Sequence, residues 1–158
     1  MAALTLCRTE DAERLTDLMS RFAQEYGMAG QDEARNAAVQ PLLEGSPYGA
    51  AYLFGPTRAP TGYLIVTFGW SIELGGMEAW IDELYVRTAV RGRGLATEAL
   101  FALARALRDA GVTAIHLEVD RDDPAAQRLY RKCGFAPTDR NPAKNAGCNP
   151  ALATFTTT

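Results

Sequence analysis

The chain has 158 residues, 47% hydrophobic and 22% charged, which suits a single compact domain over 1–158 with a sizeable core and leaves no room for a multidomain machine. Sixteen Lys and Arg against nineteen Asp and Glu give a formal net charge of -3, so no basic excess is available to neutralise nucleic-acid phosphates and no nucleic-acid partner is expected. No apolar run approaches the roughly 20 residues a bilayer crossing needs, and Met1–Glu10 lacks a basic segment followed by a hydrophobic stretch, so a soluble, cytoplasmic protein without a membrane partner is expected.

Leu4 and Leu6 alternate with polar residues as a short first strand. Thr9 is then placed to cap a helix whose Leu15, Leu18, Met19, Phe22 and Tyr26 recur at helical spacing, ended by Gly27 and Gly30. A second helix is predicted from Asp32 to Glu44, with its last turn kinked or separated by Pro41. From Tyr48 the pattern turns β-branched and aromatic. Ala50 to Phe54 and Tyr63 to Trp70, joined through Gly55-Pro56 and Pro60-Thr61-Gly62, read as an antiparallel hairpin. Another strand, Glu78 to Val86, leads through a basic glycine loop into a helix carrying Leu95, Ala99, Leu103, Ala106 and Ala110. Val112 to Val119 follows as a strand, and strand, helix, strand in that order implies a right-handed parallel crossover within a mixed sheet. Asp123-Pro124 supplies an N-cap and first-turn proline for a last helix to Lys132. Beyond it lie a strand after Gly134, a loop-rich tail around Pro142, Gly147 and Pro150, and a short strand at Leu152 to Phe155.

Few of the polar residues point to chemistry on their own. Cys7, Cys133 and Cys148 are widely spaced, with neither a CxxC nor a Cys/His metal pattern, so free thiols and no metal are expected. His116 alternates out of the Ile115, Leu117 and Val119 face and reads as a solvated sheet residue. Trp70, Glu73, Glu78 and Trp80 are candidates to line a cationic pocket, with aromatic packing as the plainer reading.

The loop Arg91-Gly92-Arg93-Gly94-Leu95-Ala96 joins a strand to a helix N-terminus. Glycines there permit positive φ and close approach of a ligand, and the unpaired first-turn amides with the helix dipole favour an anion such as phosphate. A P-loop would require Gly-Lys-Ser/Thr, but Leu95-Ala96 follow Gly94. A dinucleotide fingerprint would place a third glycine where Thr97 stands and would need a second crossover, but Glu118 and Asp120 do end the next strand, so that reading stays open as a lesser alternative.

The loop resembles the acyl-CoA loop of the GNAT superfamily of N-acetyltransferases, Arg/Gln-x-x-Gly-x-Gly/Ala. A second block, Asp123-Pro124-Ala125-Ala126-Gln127-Arg128-Leu129-Tyr130-Arg131-Lys132-Cys133-Gly134-Phe135, is similar to that family's Asn-x-x-Ala-x-x-Leu-Tyr-x-x-x-Gly-Phe segment. Asp123 departs from the family's Asn, and a carboxylate cannot donate a hydrogen bond as an amide can. The resemblance implies a GNAT-like α/β (α+β) fold, a mixed and mostly antiparallel sheet flanked by helices with a strand-loop-helix acyl-CoA site.

The same resemblance implies acetyl-CoA as cosubstrate. Its pyrophosphate would lie on the amides of Arg91, Gly92, Arg93, Gly94, Leu95 and Ala96, and its pantetheine against the main chain of Leu84, Tyr85 and Val86 at a bulge, with Asp123 beside the cofactor. Tyr130 is the candidate general acid, Glu83 the first candidate base and Asp82 the substitute. A main-chain N–H at or near Tyr85 or Val86 would meet the oxyanion. Asp82-Glu83-Leu84-Tyr85-Val86 is similar to a segment of the diamine acetyltransferases, which points to a small cationic amine as substrate. Alternatives are an acyl-CoA-binding sensor or partner module without turnover and a protein N-terminal or lysine acetyltransferase. Many relatives of this kind form dimers, so a homodimer is one expectation, for which the sequence marks no interface.

Overall fold

The computed structural model describes residues 4–138 and 152–158. In chain order it contains β1 (Leu4–Leu6), α1 (Ala12–Glu25), α2 (Asp32–Leu43), β2 (Gly49–Phe54), β3 (Gly62–Ser71), β4 (Gly76–Val86), α3 (Leu95–Asp109), β5 (Ala114–Asp120), α4 (Pro124–Lys132), β6 (Ala136–Pro137) and β7 (Leu152–Thr157). The strands form one seven-stranded sheet in the order β1-β2-β3-β4-β5-β7-β6. Only β4 and β5 pair in parallel, joined by the crossover through α3; every other pairing is antiparallel. This is the mixed, mostly antiparallel α/β architecture that the sequence led us to expect.

Each face of the sheet has its own core. Leu15, Leu18 and Met19 of α1 and Val39 and Leu43 of α2 pack on Ala51, Leu53, Tyr63 and Ile65. Ala99, Leu100, Leu103 and Leu107 of α3 pack on Leu64, Val66, Ala79, Ile81, Ile115, Leu117 and Phe155 on the other side. β3 shows why both cores exist: Tyr63 and Ile65 face one helix layer and Leu64 and Val66 the other, as in a strand buried on both faces.

Several boundaries differ from the sequence reading. Thr9 opens a short 3-10 turn (Thr9–Asp11) and does not cap α1; Asp11 instead accepts the Arg8 N–H through Oδ2 at 2.9 Å, which fixes the chain's entry into the helix. α2 runs through Pro41, because only its last turn lies beyond the proline and hydrogen bonding resumes with Glu44 N–H to Gln40 O at 3.2 Å. On α3, Leu100 and Leu107 are buried, whereas Ala106 and Ala110 are exposed: the larger leucines set the buried stripe. The C-terminal strand is β7, inserted between β5 and β6, so it is an interior strand. Pro142, Gly147, Cys148 and Pro150 lie outside the described residues. No described helix is long and apolar enough to cross a membrane.

The feature that positions a site lies between β4 and β5. They pair only over Glu78–Ile81 and Ala114–Leu117. Past that point β4 stays with β3 as far as Val86, opposite Gly62, while β5 stays with β7 as far as Asp120, opposite Leu152. The two strands therefore part. At the same level Ile65 faces Glu83 and Val66 faces Ile81, leaving Asp82 as the extra residue of a β-bulge. The bulge inverts the side-chain alternation: Ala79 and Ile81 point to the α3 core, but Tyr85 packs with α1 and α2.

Candidate active site

Beside the parted strands lies a cavity of about 650 Å³, walled by the end of β4, the turn before α3 and the first residues of α3, α4 as far as Tyr130, and Tyr26 just after α1. In the turn, Gly92 and Gly94 have φ of +76° and +77°, in the left-handed region that L side chains rarely adopt. A Cβ at either would meet no atom within 4 Å, so these glycines leave open space toward the cleft. Gly94 is the N-cap of α3 and brings no side chain to cap it. Its carbonyl accepts the Glu98 N–H at 3.0 Å, but the first-turn N–H groups receive no side-chain acceptor at a site that the cavity lines. A helix start of this kind is chemically disposed to receive an anion.

The edge of β4 supplies a second set of main-chain groups. Arg87 N–H donates to Thr61 O at 2.8 Å, which sets the phase of the β3–β4 ladder. Tyr85 and Arg87 turn their main-chain groups to β3, and Leu84 and Val86 turn theirs to the edge that β5 has left. Tyr85 still lines the cavity, though its ring packs toward Phe22 of α1 at 6.1 Å.

Across the cleft, α4 begins as anticipated: Asp123 Oδ1 accepts the Ala126 N–H at 3.0 Å and Pro124 follows at the first helical position. Tyr130 lies one face along that helix, lining the cavity and packed edge-on to Phe135 at 6.0 Å between ring centroids. Burial pushes its phenol up to about 12, with smaller contributions from Tyr26, Asp123 and Cys133.

The two carboxylates of the bulge differ. Glu83 is held by Arg35 of α2, with Nη1 to Oε1 at 2.8 Å and Nη2 to Oε2 at 2.9 Å, and Tyr63 O–H donates to Oε2 at 2.8 Å. Asp82 has an exposed surface, and its carboxyl is raised above the usual carboxylate range, first by partial burial and then by the charge of Glu83, against an opposing effect of Arg35.

The sequence profile of the Acetyltransferase (GNAT) family matches residues 12–135, most of the chain. This chain is a member of the GNAT acetyltransferase family. An integron cassette protein from the mobile metagenome of Cole Harbour Salt Marsh has 30% sequence identity and a TM-score of 0.78, over 94% of this chain and 92% of that one. Mycothiol acetyltransferase of Nocardiopsis dassonvillei is 49% identical over 49 residues, 31% of this chain and 15% of that protein, so the GNAT chain spans only a small part of this relative's length. The structure of AAC(6')-Iy in complex with the bisubstrate analog CoA-S-monomethyl-acetylneamine shares the fold at 15% identity, with a TM-score of 0.75 over 89% of this chain and 94% of that one.

Of the residues that the GNAT resemblance singled out, Leu84, Tyr85, Val86, Arg91, Gly92, Gly94, Leu95, Ala96, Asp123 and Tyr130 all line the one cavity. Arg93, Asp82 and Glu83 do not line it; the two acids sit at the bulge where the cleft begins. Sequence reasoning missed Tyr26 and Arg35. Their signals were the Phe22/Tyr26 pair, four residues apart on α1, and one arginine on α2 at a position facing the sheet.

His116 is a correction. It is 1% exposed, not solvated: Nε2 donates to Glu78 Oε2 at 2.9 Å, Nδ1 lies 2.8 Å from Thr156 Oγ1, and Trp80 stacks on the ring at 4.7 Å. Alternation along β5 carries no information on β7, whose docking encloses this face. Trp70 and Glu73 stand exposed at the far end of the β3–β4 hairpin, away from Trp80. Among the described residues no group of three His, Cys, Asp or Glu side chains is disposed to hold a metal ion.

The raised Asp82 carboxyl has a consequence for stability. A carboxyl whose folded pKa exceeds its unfolded value costs stability above the folded pKa and costs nothing below the unfolded one, near 3.8. Asp82→Asn is therefore expected to raise the urea midpoint at pH 7 and to leave it unchanged at pH 3, measured by circular dichroism at both pH values.

Proposed function

We propose that the protein is an acetyl-CoA-dependent N-acetyltransferase that acetylates a primary amine of a small cationic molecule by direct attack. The observation that carries this reading is the meeting, in one cavity, of an uncapped helix N-terminus, a strand edge that no other strand covers and a half-buried tyrosine. The residues fit the cosubstrate. Amides of Gly92 to Ala96 suit its pyrophosphate, and Leu84 and Val86 suit the pantetheine arm as an added strand would. Bound there, acetyl-CoA supplies a thioester whose acyl carbon an amine can attack.

Tyr130 acts as a hydrogen-bond donor to the leaving sulfur. Its phenol, pushed up to about 12, stays protonated throughout the physiological range. An ordinary thiol, with a pKa of about 8.5, is the stronger acid, so a retained O–H that donates to the sulfur is the better description. An unpaired N–H on the free edge of β4, from Leu84 or Val86, serves the carbonyl oxygen.

For the amine's proton, the bonding at the bulge favours Asp82 over Glu83, the reverse of the order drawn from sequence. Protonating Glu83 would weaken a fork with Arg35 and the bond from Tyr63, whereas Asp82 is already drawn toward neutral pH. Glu83 then anchors α2 to the bulge.

Incubation with acetyl-CoA and a panel of polyamines, amino acids and aminoglycosides, read by free-thiol release, tests the reading. Turnover is expected with a cationic amine; CoA binding with silence across every amine would leave a binding module in place of an enzyme. Gly94→Val forces a β-branched residue into the left-handed region on the anion seat and is expected to abolish CoA binding by calorimetry while the far-ultraviolet spectrum persists. Tyr130→Phe is expected to lower kcat by about 10²-fold with CoA affinity within about twofold, separated by steady-state kinetics and calorimetry.

A further inference from the structure

Arg91 is the arginine of the GNAT loop motif, yet its guanidinium does not face the proposed anion seat alone. Its Nη1 and Nη2 donate to Glu25 Oε1 and Oε2 at 2.6 and 2.7 Å, and its Nε donates to Val86 O at 2.9 Å. The guanidinium carbon lies 5.5 Å from the centroid of the Tyr85 ring. All three nitrogens are thus engaged, by groups from the last residue of α1 and the last residue of β4. This is a bidentate pair between residues 66 positions apart, and it joins the cofactor turn to α1.

Glu25 is not where helix stability would put an acid. It is the C-terminal residue of α1, where the dipole disfavours negative charge, and the last turn of α1 holds no basic residue. The carboxylate is held below its usual range chiefly by the Arg91 hydrogen bonds, so the pair remains charged at neutral pH. Tyr26, the next residue, lines the cavity opposite Asp123 and Tyr130. Gly27 follows with φ of +74°, a point where the backbone turns away from the helix. The end of α1 is therefore referenced to the turn through Glu25 and Arg91.

We propose that Glu25 is a positioning residue: its carboxylate fixes Arg91, and through Arg91 both the shape of the cofactor turn and the seat of Tyr26 beside the cleft. The cofactor's phosphates are then left to main-chain amides, with the Arg91 charge already matched. This rests on the acetyl-CoA reading above.

CoA titration by calorimetry on wild type, Glu25→Gln, Arg91→Lys and the double variant tests it, together with acetyl-CoA kinetics and thermal unfolding. Glu25→Gln should weaken CoA about tenfold and raise the acetyl-CoA KM to match, with kcat within about twofold and little change in Tm. Arg91→Lys keeps the charge and loses the fork, so it should give a similar loss, and the double variant should be no worse than the poorer single one because both break the same link. Unchanged CoA affinity in Glu25→Gln would reduce the pair to a surface contact and overturn the proposal. Tighter binding would also overturn it, since Glu25 would then compete with the phosphates for Arg91. Wild type that binds no CoA overturns the acetyl-CoA reading itself, a result separate from a wild type that binds and a variant that binds equally well.

Discussion

The site depends on one interruption of hydrogen bonding. β4 and β5 are not paired beyond Ile81 and Leu117, although β4 keeps its ladder to β3 through Val86 and β5 keeps its ladder to β7 through Asp120. The extra residue at Asp82 lets β4 change its twist without breaking the ladder to β3. Main-chain groups at a parted edge are strong donors and acceptors that require partners. At this edge Val86 O accepts the Arg91 Nε–H at 2.9 Å, and Leu84 turns its main-chain groups toward the cavity.

The bulge also decides which chemistry meets the cleft. Without the extra residue, the parity of Ile81 would carry Glu83 to the α3 side, into an apolar layer of leucines and alanines where a carboxylate would lack partners. The inversion sends Glu83 to Arg35 and Tyr63, which satisfy it, and sends the ring of Tyr85 to the aromatic group around Phe22. Leu84 and Val86 then complete the apolar wall on the α3 side, alongside Leu95 and Leu129. One inserted residue thus separates a polar face, carrying Glu83, Arg35 and Tyr63, from an apolar one that includes Leu84 and Val86.

How much of this the sequence carries depends on the range of the interaction that determines each residue. The strand-loop-helix with Gly92 and Gly94 is local and legible: positive φ, an uncapped helix start and the following amphipathic stripe lie within about four turns of chain. Asp123 as an N-cap is legible for the same reason. His116 was not, because its burial comes from Thr156, forty residues away on a strand whose place between β5 and β6 no alternation pattern encodes. Arg91 was legible as a motif residue but not in its bonding, since Glu25 lies 66 positions earlier. The position of the bulge sits between these cases: Asp82-Glu83 announces two adjacent acids, but only the register with Ile65 and Val66 shows that both can avoid the apolar side.

The polar row under the sheet explains why the parting begins where it does. Trp80, His116 and Thr156 occupy one row across β4, β5 and β7, immediately before the last β4–β5 pair. His116 bridges the row, donating to Glu78 of β4 and meeting the Thr156 hydroxyl of β7, while Trp80 covers the ring. A buried imidazole that lost these partners would keep an unsatisfied polar group, so the row resists opening at this level more than apolar pairs alone would. On the opposite face Ile81 and Leu117 are locked into the α3 core. The apex of the wedge is therefore pinned from both sides, and the strands separate only beyond it, at the level of Asp82, so that the end of β4, the start of α3 and α4 line the cavity.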